Sequence, residues 1–189
     1  MLNFTLSKER TALLVVDVQD KIFAVVDHSN DVLQTILRVI KSFQVLNLPI
    51  FVTEQYPKGL GPTVLPVRNA LGPDYIPWTK TTFSCLDDPD CLKSIEQLPA
   101  VQWVLVGVEA HVCVLQTAKS LLKLGKQVTI LNDAISSRSV YDFSTSIAEM
   151  RDAGVRISCS ETILFELLRD SSSDSFKEIS QLIRSRCDN

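Results

Sequence analysis

Val101-Gln102-Trp103-Val104-Leu105-Val106-Gly107-Val108-Glu109-Ala110-His111-Val112-Cys113 decides how this chain is read. Up to Val108 the stretch is apolar apart from Gln102 and Gly107. A short, nearly unbroken apolar run of this kind reads as a strand buried on both faces, which is a feature of parallel sheets. Helical spacing takes over near residue 112 and is closed by Gly125. Cys113 therefore falls where a buried strand passes into a helix N-terminus. Oriented backbone N–H groups at such a place favour a thiolate, the nucleophilic form. A packed structural cysteine is the plain alternative, because free Cys is among the most buried residue types.

The same alternation extends in both directions. Thr11 to Val18 reads as a buried strand. Val32, Leu33, Ile36, Leu37, Ile40 and Phe43 fall at helical spacing over residues 31–46, with Asn30 as the expected N-cap. Residues 49–54 read as the next strand. Residues 56–80 hold most of the Gly and Pro and read as a long excursion with a short helix near 64–71. Asp88 caps a helix that has Pro89 in its first turn. Further strands are expected at 127–132 and 155–158, and helices at 140–153, 160–169 and 174–186. The terminal helix is expected to dock on its own sheet. This rhythm predicts a single domain over residues 1–189: an α/β, three-layer α/β/α fold on a mostly parallel sheet of five or six strands. Ligands of such sheets sit outside the strands' carboxyl ends. Asp17, Glu54 and the Val108-to-Cys113 turn all lie there.

Bulk composition narrows the partners. Of 189 residues, 46% are hydrophobic and 22% charged, and the formal net charge is −3. That is an ordinary soluble balance. No run of Lys or Arg stands out, which disfavours nucleic acid. No apolar stretch is long enough to span a bilayer, and no secretory leader pattern opens the chain, so a cytoplasmic location is expected. The five cysteines form an odd set without a C-x-x-C pair and read as free thiols. Only two histidines occur, His28 and His111, far apart, which argues against a Cys/His zinc site.

Two other residues carry chemistry. Asp17 interrupts an apolar run, where a carboxylate is costly unless it is paired or terminal. It reads either as a turn cap or as a desolvated general base. Lys80 stands between bulky Trp78 and Phe83. Most lysines are solvated, but one drawn inward beside Asp17 and Cys113 would favour both anions. A Cys113–His111 dyad is disfavoured, since i and i+2 side chains diverge, and His111 reads as structural. Neither a dinucleotide fingerprint nor a G-x-S-x-G elbow is present. Cys85, Cys91, Cys159 and Cys187 read as ordinary packed or exposed thiols.

Taken together these residues resemble the isochorismatase-like cysteine hydrolases over roughly residues 8 to 170. The marks are Asp-x-Gln at Asp17 to Gln19, Lys-x-x-Phe-Ser at Lys80 to Ser84, and Gly-Val-Glu-x-x-x-Cys at Gly107 to Cys113. The segment Asp133 to Arg138 also matches, and residues Thr53 to Thr63 look like the loop of the isochorismatase domain-containing subgroup. The resemblance implies an Asp17, Lys80, Cys113 triad. It implies a cis peptide between Val108 and Glu109 that turns the Glu109 and Cys113 N–H groups toward an oxyanion. It implies self-association as a dimer or tetramer. The Asp-x-His metal site of the nicotinamidase branch has no counterpart, so no metal and no cofactor are expected. Gln19, Phe23, Gln55, Tyr56, Phe83 and Tyr141 are candidates for the pocket wall. The implied activity is covalent hydrolysis of a small amide or related acyl compound. The alternative is a silent protein that keeps the fold and binds a small molecule or a partner.

Overall fold

In the computed structural model, which describes residues 4–184, six runs of strand lie side by side. They are β1 (Thr11–Val16), β2 (Ile50–Gln55), β3 (Trp78–Lys80), β4 (Gln102–Val108), β5 (Gln127–Ser136) and β6 (Arg156–Ser158). Every pairing is parallel, in the order β3-β2-β1-β4-β5-β6. The chain winds outward on one side of β1 and then returns to build the other half from β4. The switch in direction falls between β1 and β4, where open α/β sheets form crevices for ligands. These two central strands are buried along their whole length, which is why their sequences do not alternate.

The helices are α1 (Asp20–Phe23), α2 (Ser29–Val45), α3 (Pro57–Leu60), α4 (Leu65–Leu71), α5 (Pro89–Gln97), α6 (Leu115–Lys123), α7 (Val140–Asp152), α8 (Ser160–Leu168) and α9 (Phe176–Arg184). They cover both faces of the sheet. Leu13, Val15, Val104, Val106 and Val108 pack with Ile36, Ile40 and Phe43 of α2, Leu164 and Leu167 of α8, and Ile179 of α9. Ala12, Leu14, Val16, Trp103 and Leu105 pack with Ile95 of α5, Leu121 of α6 and Met150 of α7. Successive residues of β1 and β4 thus feed opposite layers, as the two-residue period of a strand requires.

Several boundaries differ from expectation. α2 starts at Ser29 behind a left-handed His28 (φ 51) with no side-chain cap, so Asn30 is inside the first turn and caps nothing. Asp88 does cap α5, accepting from the Asp90 and Cys91 N–H groups at 3.1 Å. Trp78–Lys80 is an edge strand that the long excursion concealed. β5 runs on to Ser136, past the expected end. α9 makes its main contacts with α2 and α8, and its Ile179 joins the same apolar layer as the sheet residues. Cys187 and the end of the expected terminal helix lie outside the described residues. Among the described residues no helix is long and apolar enough to cross a membrane.

Candidate functional site

Asp17 follows the last residue of β1 in a left-handed conformation (φ 52), which Asp tolerates better than most residues. Its side chain is fully buried. One carboxylate oxygen accepts from Thr53 Oγ1 at 2.7 Å and the other from Lys80 Nζ at 2.7 Å. Next to it β4 passes very close. Gly107 has φ 119, and a Cβ there would stand 2.1 Å from the Val16 carbonyl oxygen. Only glycine permits that approach.

Lys80 closes β3 in register with Gln55. Its ammonium is fully buried and donates to Asp17, to Gln55 Oε1 at 2.8 Å, and to the Thr82 and Phe83 carbonyls at 3.3 and 3.4 Å. Burial works to lower its pKa, but the Asp17, Cys85 and Cys113 charges outweigh burial and leave it raised. Lys80 is therefore a cation at neutral pH despite burial. Gln55 also donates to the Thr81 carbonyl at 2.8 Å. Gln19 accepts from the Gln55 N–H at 2.7 Å and donates to the Gln55 and Gly61 carbonyls at 3.0 and 2.6 Å. Both glutamines, expected on a pocket wall, spend their amides bracing the β2 end and the Lys80 loop.

Cys113 sits in a π-helical turn, Ala110–Val114, that leads into α6. Such turns recur at functional sites. The Glu109 carbonyl accepts from both Val112 and Val114 N–H groups, at 3.1 and 3.2 Å. The thiol is 4% exposed. Burial first, then the Asp17 charge, push its pKa up; Lys80 pulls it down by less than either, and a hydrogen bond to Asp17 and the Cys85 charge add smaller upward pushes. This runs against the expectation that the helix start and Lys80 favour the thiolate, because desolvation is the largest influence on the thiol. The structure thus brings Asp17, Lys80 and Cys113 together, with the thiol neutral at rest.

Three further side chains, Cys85, Thr117 and Thr53, belong to this cluster without having been assigned to it from the sequence. Cys85 is fully buried, and its charge couples to Lys80 and Asp17. Burial pushes it up to about 11, with Lys80 and hydrogen bonds from Thr117 and Thr53 acting the other way. Cys85 is packed, as expected of it, but it is packed beside Lys80 and Asp17. Thr117 Oγ1 accepts the Cys85 N–H at 3.0 Å.

The Val108–Glu109 peptide is cis. The Glu109 side chain is 8% exposed and pairs with Arg138 Nε at 2.7 Å. His111 Nδ1 meets Ser137 Oγ at 3.0 Å, which occupies the ring away from Cys113. Among the other expected wall residues, Phe23 is a core side chain packed in the layer under α2. Tyr56 and Phe83 are more than half exposed, and Tyr141 stands 80% exposed at the start of α7. A cavity of ≈ 600 Å³ opens between the start of α2 and the end of β5, beside Asp27, Asp31, Arg38 and Phe143, and none of Asp17, Lys80 and Cys113 lines it. Among the described residues no group of three or more His, Cys, Asp or Glu side chains is placed to hold a metal.

A parallel sheet wound in this order, with Asp, Lys and Cys side chains meeting at its switch point, defines a class that comparison makes specific. The Isochorismatase domain matches residues 11–162. Isochorismatase domain-containing protein 2 of Danio rerio is 38% identical over 180 residues, 94% of this chain and 89% of that protein. The MAR1 ribonuclease structure from Caenorhabditis elegans superposes with a TM-score of 0.89 at 36% identity, covering 95% of this chain and 92% of that one. The Escherichia coli YcaC gene product, described as an octameric hydrolase of unknown specificity, shares the fold at 21% identity, with a TM-score of 0.86 over 100% and 98% of the two chains. The chain belongs to the isochorismatase family, and its fold is that family's hydrolase fold.

Proposed function

We propose that the protein is a cysteine hydrolase that uses no metal and cleaves a small amide or related acyl compound through a thioester on Cys113. As the sulfur attacks the carbonyl carbon, Asp17 takes the thiol proton and the carbonyl π pair moves onto oxygen. The Glu109 and Cys113 N–H groups receive that oxyanion. The intermediate collapses, the C–N bond breaks, and the departing nitrogen takes the proton from Asp17. A water then gives a proton to Asp17 and adds to the thioester. Collapse releases the carboxylic acid, and the sulfur regains its proton. Lys80 stays protonated throughout, orienting Asp17 and balancing each anion in turn.

The observation that carries this reading is the buried Lys80–Asp17 ion pair, whose two charges act on the Cys113 thiol. Burying both charges costs several kcal/mol per ion before their attraction is counted. Such placements concentrate where chemistry needs them. A neutral resting thiol fits a step in which proton transfer and attack are coupled. The C. elegans relative is described as a ribonuclease. A net charge of −3 without a basic run favours a small compound over RNA for this chain. Two distant histidines favour metal-free chemistry. The silent binding protein is the second reading, favoured by the separate ≈ 600 Å³ cavity.

Intact and peptide mass spectrometry after incubation with a panel of small amides and activated esters tests both. The expected result is an acyl adduct on Cys113, with turnover abolished in Cys113→Ala and its thermal midpoint little changed. Undiminished turnover in that variant eliminates the mechanism. No adduct with any probe, together with ligand-induced stabilisation, selects the binding protein.

A further inference from the structure

Val108, Glu109 and His111 carry the chain from β4 to Cys113. Three consecutive residues at the end of β5 hold them. Ser136 pairs with Val108 in the sheet register. Ser137 Oγ bonds His111 Nδ1 at 3.0 Å. Arg138 Nε donates to Glu109 Oε1 at 2.7 Å. The holding segment is itself fixed, because Ser136 Oγ donates to the Asp27 carbonyl at 2.6 Å and the Asp27 N–H donates to the Ser137 carbonyl at 2.9 Å. Arg138 is 59% exposed, whereas the carboxylate it grips is 8% exposed. A nearly buried carboxylate cannot readily give up its partner. The Glu109 carbonyl also accepts from Val112 and Val114, so a rotation of Glu109 displaces the turn that bears the thiol.

We propose that Arg138 is a positioning residue: through Glu109 it fixes the turn whose N–H groups receive the oxyanion, and so sets the rate of carbonyl attack without setting thiol ionisation. The proposal rests on the hydrolase reading above. It separates two reactions of the same sulfur. Attack on an ester builds negative charge on the carbonyl oxygen, and the turn must be aligned to meet it. Displacement of iodide from iodoacetamide forms a C–S bond and expels iodide, and it places no charge on an oxygen held by the turn.

The test uses the full chain as wild type, Arg138→Gln, Arg138→Lys and Cys113→Ala. Cys113 acylation by p-nitrophenyl acetate and Cys113 alkylation by iodoacetamide, both near pH 9, are followed by peptide mass alongside the thermal midpoint. Losing a single oxyanion donor costs about 100- to 1,000-fold, so a misaligned turn in Arg138→Gln is expected to slow acylation by about 10- to 100-fold. Alkylation is expected to stay near the wild-type rate, and Arg138→Lys, which keeps the charge, recovers most of the acylation. Acylation of Arg138→Gln at the wild-type rate overturns the proposal. So does an equal fall in both reactions, which marks a plainly structural pair. Wild-type protein that never acylates on Cys113, or Cys113→Ala that hydrolyses the ester equally well, brings down the hydrolase reading and the clamp with it. Wild-type acylation with an indifferent Arg138 brings down the clamp alone.

Discussion

Both oxygens of Asp17 are engaged, one by Lys80 and one by Thr53. The first contact sets charge and the second sets direction, since a hydroxyl bond fixes the carboxylate plane at little electrostatic cost. Thr53→Val keeps the shape and deletes that donor. Asp17 Oδ1 is then left buried without it, a loss of about 1–3 kcal/mol. In a chain of this size each kcal/mol shifts the thermal midpoint by about 2–4 °C. A falling midpoint that Thr53→Ser restores is the expected outcome of thermal denaturation. A Thr53→Val midpoint equal to wild type removes the assignment. Asp17, Lys80 and Cys113 were legible because each breaks an apolar surrounding with a charge or a nucleophile. Thr53 and Thr117 were not, because a threonine in a strand or helix reads alike whether its hydroxyl is idle or bonded. The neutral thiol was not legible either. Proximity to a helix start is visible in sequence, but the depth of burial that overrides it is not.

Among the elements, β4 and β5 do the positioning. β4 reaches β1 only because Gly107 lacks a Cβ and adopts a positive φ. Gly107→Ala adds both a backbone clash and backbone strain, and at least about 2 kcal/mol of destabilisation is expected. Urea denaturation reads this directly, and a midpoint within error of wild type contradicts the close approach. β5 is irregular. Its register with β4 jumps, so that Leu105 faces Ile130 while Gly107 faces Ile135. Within the looped-out stretch, Asp133 accepts from the Ser160 N–H at 2.9 Å and Ser160 Oγ at 2.6 Å, and so caps α8 from the strand next to β6. Asp133→Ala is expected to cost about 1–2 kcal/mol, as loss of a good N-cap does. An unchanged midpoint counts against the cap. β1 and β4 were legible as unbroken apolar runs. β5 was read only to Asn132, because the charge of Asp133 resembles a strand end when the bulge is unseen. β3 was missed because three residues carry too little pattern to register.

Across the whole molecule, the layer that holds Cys113 also holds Cys85 and Cys91. Burial pushes Cys85 up to about 11 and Cys91 up to about 12, and raises Cys113 as well. An unfolded thiol titrates near 8.5. Between that value and the folded values, the unfolded chain has lost protons that the native chain keeps. Raising pH there favours unfolding, so the stability these thiols contribute is complete below about pH 8.5 and declines above it. Lys80 acts with the same sign further up, because its raised folded pKa holds a proton that an unfolded lysine releases near 10.4. The expected outcome is a urea midpoint that is flat from neutrality to about pH 8.5 and then falls steadily toward pH 10.5. Cys91 takes no part in the proposed chemistry, and Cys91→Ala removes one of these protons. It is expected to start lower at neutral pH, because it leaves a small cavity, and to fall less steeply in alkali. Parallel alkaline slopes for the two proteins, or a midpoint that holds through pH 10.5, remove buried thiols as the cause.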